Sequence, residues 1–155
     1  MAITINLFQA AKYVPLYGVT RKPGGLFVIL RTASLAGTNM TGAQHPMRNL
    51  AMTLEPAAQN EVATGNGYVQ GGKYLENVRL NYESNKVIVR ANDVKWKATG
   101  GSIVASSAVL AHGDKSDYRK ASPIALIDLN GSQTIGDGNA IIIQWYLSQV
   151  LSFEA

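Results

Sequence analysis

The sequence predicts an all-β fold, an antiparallel β-sandwich of jelly-roll-like type with about eight strands, preceded by a short N-terminal arm or helix. Three observations predict it. From Lys86 the chain alternates, with Val87, Val89 and Ala91 on one face and Lys86 and Arg90 on the other. After Asn92-Asp93 the alternation resumes, with Val94, Trp96 and Ala98 opposite Lys95 and Lys97. Strict alternation marks a strand with one wet face. The run from Ile103 to Leu110 is instead apolar or small on both faces, as a strand covered on both sides must be. Turns rich in glycine and asparagine punctuate these runs at regular spacing.

Residues 1–24 are expected to form the arm, and residues 25–155 the sandwich domain, with no repeat or linker between them. Ile3-Thr4-Ile5 suits a short strand, and Leu7 to Tyr13 suits two helical turns ended by Pro15, which lacks a backbone donor. Arg21-Lys22-Pro23-Gly24-Gly25 is a turn. Leu26-Phe27-Val28-Ile29-Leu30 is a continuous apolar run of strand length and is expected to be the first core strand. Periodicity fades between Ala36 and Gly72. Met47 to Leu54 is expected to form a short helix before Glu55-Pro56, with Met40, Met47 and Met52 plugging one end of the core. Gly65-Asn66-Gly67-Tyr68-Val69-Gln70-Gly71-Gly72 lacks phosphate-loop spacing and reads as a tight connection. Strands resume after Tyr74, where Val78, Leu80 and Tyr82 alternate with Arg79 and Asn81, and Glu83-Ser84-Asn85 is a hairpin turn. Gly113 to Ser122 is charged and expected to be exposed. Ile124 to Leu129, Ala140 to Leu147 and Val150 to Phe153 are the remaining strands.

Of 155 residues, 46% are hydrophobic and only 15% charged, against about 25% charged in a typical soluble domain. A surface so poor in charge suits one covered by partners. The 14 Lys and Arg exceed the 10 Asp and Glu, for a net charge of +4. The basic residues are scattered, so no specific nucleic-acid footprint is expected. There is no cysteine, which excludes disulfides and thiolate sites. Met1-Ala2-Ile3-Thr4 lacks the features of a signal peptide, and no apolar run approaches the ~18 residues of a membrane span. Neither secretion nor a membrane partner is expected.

Residues that carry chemistry are few. His45 and His112 sit in unlike contexts; His112 neighbours Asp114, but Ser106 and Ser107 lie in mid-strand and no GxSxG elbow supplies a nucleophile. Asp128 interrupts an apolar run and needs a partner, a bulge or an exposed end. Asp93 and Asp137 are in turns, where aspartate bonds its own backbone. Asp114 and Asp117 match no calcium-loop spacing. No catalytic residue, metal or cofactor is expected. Arg79, Lys86, Arg90, Lys95 and Lys97 are expected to share one outer sheet face. Such a face is either solvated or docks on an acidic protein surface. Tyr68, Tyr74, Tyr82 and Tyr118 are the aromatics a glycan-binding groove would use, and read more simply as packing or turn residues.

Laid end to end, LFVILRTAS, NEVATGNGYVQGGKYL, KVIVRANDVKW, SIVASSAVLAH, SPIALIDLNGSQTIGDGNAIIIQW and VLSF resemble a family of small tailed-phage virion proteins. The likeness rests on the order of elements and covers roughly residues 26–153. Residues 1–24 and 36–60 depart from it; Gln44-His45-Pro46-Met47-Arg48 is neutral to basic where relatives are often acidic. The resemblance implies a capsid decoration (cement) protein on the outer shell surface of a virion assembled in the host cytoplasm. Its partner would be the major capsid protein, and it would self-associate as a dimer or trimer. The expected contact residues are Phe8, Tyr13, Tyr17, Arg48, Arg79, Arg90, Lys95 and Lys97. A tail or head–tail accessory protein is the alternative, and a host-glycan-binding module a third.

Overall fold

A computed structural model describes residues 4–7, 25–34 and 54–154. The strands are β1 (Thr4–Leu7), β2 (Gly25–Arg31), β3 (Lys73–Tyr74), β4 (Arg79–Glu83), β5 (Lys86–Arg90), β6 (Val94–Lys97), β7 (Ile103–Gly113), β8 (Ser122–Ile135), β9 (Ala140–Ile143) and β10 (Gln149–Glu154). One α-helical turn, α1 (Glu55–Ala58), and short 3-10 segments at Lys115–Lys120 and Tyr146–Ser148 complete the described elements.

The fold is all-β, and every strand pair is antiparallel. A five-stranded sheet runs β1-β8-β7-β2-β3, a three-stranded sheet β10-β5-β4, and a two-stranded sheet β6-β9. This is a sandwich-like arrangement. Among the described residues the sheets hold five, three and two strands, a pairing that establishes the all-β character without defining a jelly roll.

The five-stranded sheet is covered on both faces, which is why its strands read as unbroken apolar runs. One face contributes Leu26, Val28, Leu30, Leu110, Ile124 and Ile127 to the main core, where they join Val89, Trp96, Ile141 and Ile143 of the smaller sheets. The other face carries Phe27, Ile29, Val109 and Leu126 beneath Leu54, Ala57 and Ala58. On β6 the alternation is realised residue by residue: Val94 and Trp96 are buried, Lys95 and Lys97 exposed.

Three elements differ from expectation. The helical turn begins at Glu55 with proline in its first turn, where a missing N–H costs nothing; residues 35–53 lie outside the described ones, as do those of the expected helix at 7–13 beyond Leu7. β8 continues through Asn130 and Gly131, which take positive φ of 58° and 97° inside the strand. Strand β9 stops at Ile143, because Trp145 gives its N–H to the Asp93 carboxylate (3.0 Å) and Leu147 turns left-handed (φ 51°).

The β4–β5 hairpin turns through Ser84 and Asn85, both at positive φ (50° and 60°), the two-residue geometry that favours Asn-Gly. Serine is the poorer fit. Ser84→Asn is expected to stabilise by about 0.5 kcal/mol, and Ser84→Val to destabilise by about 1–2 kcal/mol, both read as shifts of the urea midpoint.

Candidate functional site

Two polar constellations stand out, one buried and one open. The buried one centres on Glu61, which is 8% exposed. Its Oε1 accepts the Tyr68 hydroxyl (2.7 Å) and the Gly71 N–H (2.7 Å), and its Oε2 accepts the Tyr118 hydroxyl (2.7 Å). Tyr68 also accepts the Leu30 N–H (3.0 Å). The carboxylate thus ties the glycine-rich connection and the 115–120 segment to strand β2. Nearby, Arg31 donates to the Ala57 carbonyl (3.1 Å) and to Ser107 Oγ (3.3 Å), and Ser107 donates to the Ala33 carbonyl (2.6 Å). Burial pulls the Arg31 guanidinium below its ordinary pKa. A carboxylate holding three donors, and a serine donating to a carbonyl, tie these segments together.

Burial, reinforced by the adjacent Glu61 charge and hydrogen bond, raises the Tyr68 hydroxyl far above the ordinary tyrosine value. Burial and Glu61 raise Tyr118 in the same direction. Unfolded tyrosines ionise near pH ~10, while these two keep their protons when folded. The unfolded chain then binds fewer protons, so stability falls as pH rises. We expect this contribution in full below pH ~10 and its progressive loss above. Urea midpoints taken between pH ~8 and ~11 should show it, with a shallower slope in Tyr68→Phe; parallel slopes in the two proteins would contradict it.

The open constellation is a groove of about 340 Å³ lined by Lys73, Tyr74, Glu76, Asp93, Val94, Lys95 and Lys97. It runs between two strand edges. Among the described residues, strand β3 ends the five-stranded sheet, and β6 has β9 on one side only. Ala98 gives its N–H to the Asn139 carbonyl (2.8 Å) and takes the Gly138 N–H (2.9 Å). Backbone groups alternate sides along a strand, so Val94 and Trp96 also face β9, whereas Lys95 and Lys97 face the groove. Two bonds on that edge agree: Lys73 Nζ donates to the Lys95 carbonyl (2.7 Å), and the Thr99 N–H to the Asn66 carbonyl (3.1 Å). Opposite, the Leu75 N–H bonds the Leu26 carbonyl on β2 (2.8 Å), which leaves the Tyr74 backbone facing the groove.

Local chemistry fixes the walls. Two glycines frame them: Gly72 (φ +65°) lies against the Val28 carbonyl and Gly67 (φ +92°) against the Lys97 carbonyl, and neither has room for a Cβ. Tyr74 packs edge-on against Phe27 (6.1 Å between ring centres) and accepts the Lys115 N–H (2.9 Å). The Lys115 ammonium lies 5.3 Å from the Tyr74 ring centre and donates to the Gly72 carbonyl (2.6 Å). Burial lowers its pKa; Glu61 opposes that shift and Lys73 adds to it. Lys73 sits 5.9 Å from the Trp96 ring centre. Among the lining residues three cations face two acids, and the Asp93 carboxylate is already engaged with the Trp145 N–H (3.0 Å).

The expected contact residues fall in separate places. Lys95 and Lys97 line the groove. Arg79 and Arg90 are cross-strand partners in the other small sheet, so the basic residues are divided between two sheets instead of sharing one face. Arg90 is committed internally, to the Leu147 carbonyl (2.6 Å) and Glu83 (3.2 Å), while Arg79 donates to the Asn77 carbonyl (3.1 Å). Phe8, Tyr13, Tyr17 and Arg48 lie outside the described residues, as do His45, Met40, Met47 and Met52. The four tyrosines do not form one platform: Tyr68 is buried, Tyr118 is held by Glu61, and Tyr82 is on β4. Asp93 and Asp137 bond backbone of other segments, Trp145 and Gly100 (2.9 Å), rather than their own; Asp128 does bond the Asn130 N–H two residues on (2.9 Å).

Lys73 and Glu76 are groove residues that the sequence pattern did not single out. Among the described residues no cluster of His, Cys, Asp or Glu suits a metal, and no helix is long and apolar enough to cross a membrane. Compared with protein-family models, with curated proteins and with solved structures, the chain matches none.

Proposed function

We propose that this protein is a non-enzymatic structural component of a tailed-phage virion, a decoration protein that docks on the outer surface of the icosahedral shell. The lysine groove is its contact with acidic segments of the major capsid protein. The observation that carries the reading is the convergence of Lys73, Lys95 and Lys97 on one open groove between strand edges. The order of motifs along the chain and its low charge content support it further. In this role the protein does mechanical work. Dimers or trimers bridge neighbouring shell subunits, and linked weak contacts become effective through high local concentration.

The test compares shells with and without the protein. Complete shells should survive heat and osmotic shock that rupture shells lacking it, and adding the purified protein back should restore resistance, less well as salt rises. Shells equally robust in both forms would refute the reading. A tail or head–tail accessory role is the alternative; it predicts few copies per particle, placed at the tail.

A further inference from the structure

We infer that the groove accepts an extended acidic segment as an added β-strand on the edge of β6 that faces away from β9, which no strand pairs among the described residues, with acids at every second position. The inference rests on reading the groove as a docking surface, and names what docks there.

Three features select this occupant. The N–H groups of Lys95 and Lys97 point into the groove by the alternation fixed at Ala98, so an incoming strand can give them its carbonyls. The Lys95 and Lys97 side chains stand on the same exposed face, two residues apart. An added strand would set its own i and i+2 side chains opposite them, so carboxylates at that spacing make favourable cross-strand pairs. In the free protein the Lys73 ammonium covers the Lys95 carbonyl (2.7 Å). Strand addition displaces it, and the released ammonium joins the same acidic side chains. Lysines also protect bare strand edges from unwanted pairing; here the same residues reject apolar strands and admit acidic ones.

A polyanion such as single-stranded nucleic acid would also meet the lysines. It has no use for backbone donors spaced along a strand, which an added protein strand engages.

The experiment uses the full chain and three fluorescent probes. One is a peptide of about six residues alternating Asp and Thr. The second is its isomer with the acids contiguous, and the third is a single-stranded oligonucleotide. The alternating peptide is expected to bind at least about tenfold tighter than its isomer, and to slow hydrogen exchange at the Lys95 and Lys97 amides. The double variant Lys95→Glu, Lys97→Glu changes only exposed residues and should lose that binding while keeping the wild-type thermal midpoint. Equal binding of the two peptides, unchanged exchange at those amides, or an oligonucleotide that binds as tightly as the alternating peptide would each overturn strand addition. Docking is judged separately. If strand addition fails but wild-type protein decorates shells and the double variant does not, the docking reading stands alone; if the double variant decorates shells as well as wild type, the docking reading falls too.

Discussion

Replacing Trp96 by alanine is expected to remove about 3–5 kcal/mol of stability. Trp96 is 1% exposed and is among the largest fully buried side chains. It lies on β6 opposite Ile141, inside the core that the five-stranded sheet shares with the two smaller ones. Its ring meets Tyr68 with centroids 5.9 Å apart. Truncation would open a cavity where three sheets meet, and a close-packed interior collapses into such a space only in part. Since β6 pairs with β9 alone among the described residues, the loss should also loosen the groove edge. Urea unfolding of Trp96→Ala, with an unchanged m-value, checks the figure. A loss below about 1 kcal/mol would mean that Trp96 does not join the layers.

The second large effect is at Glu61. Alanine there leaves the Tyr68 hydroxyl, the Gly71 N–H and the Tyr118 hydroxyl without their acceptor. The Tyr68 and Gly71 orphans are buried and cost about 1–3 kcal/mol each, and the part-buried Tyr118 adds less, so Glu61→Ala is expected to cost about 3 kcal/mol or more. Glutamine is the informative control. Its oxygen can keep the Tyr68 and Gly71 bonds, and its amide can donate to Tyr118 once that hydroxyl rotates. Glu61→Gln should therefore cost only about 1 kcal/mol. Equal losses in the two variants would show that the negative charge matters, rather than the number of acceptors.

Much of the fold was legible because strand periodicity is a local property. The alternation at Val94 to Lys97, the two-sided run in β7, the hairpin at Ser84-Asn85 and the need of Asp128 for a partner all follow from neighbours in the chain. The groove did not. Lys73 and Lys95 are brought together by the meeting of β3 and β6, and nothing within either strand signals the other. Periodicity likewise tells which side of a strand a lysine occupies, but not which sheet the strand joins; hence Arg79 and Arg90 parted from Lys95 and Lys97. Glu61 gave no signal, as a lone acid in a glycine-rich neighbourhood looks solvated until Tyr68 and Tyr118 close over it. The end of β9 was hidden for the same reason, since the bond from Trp145 to Asp93 that diverts the chain spans 52 positions.

The most direct test is the copy number and position of this protein in intact particles, from quantitative mass spectrometry and a reconstruction of the capsid. A decoration protein should be present in hundreds of copies, on the order of the shell subunits it bridges, in symmetric clusters on the outer surface. Recovery of about six to a few dozen copies, confined to the tail or connector ring, would contradict it.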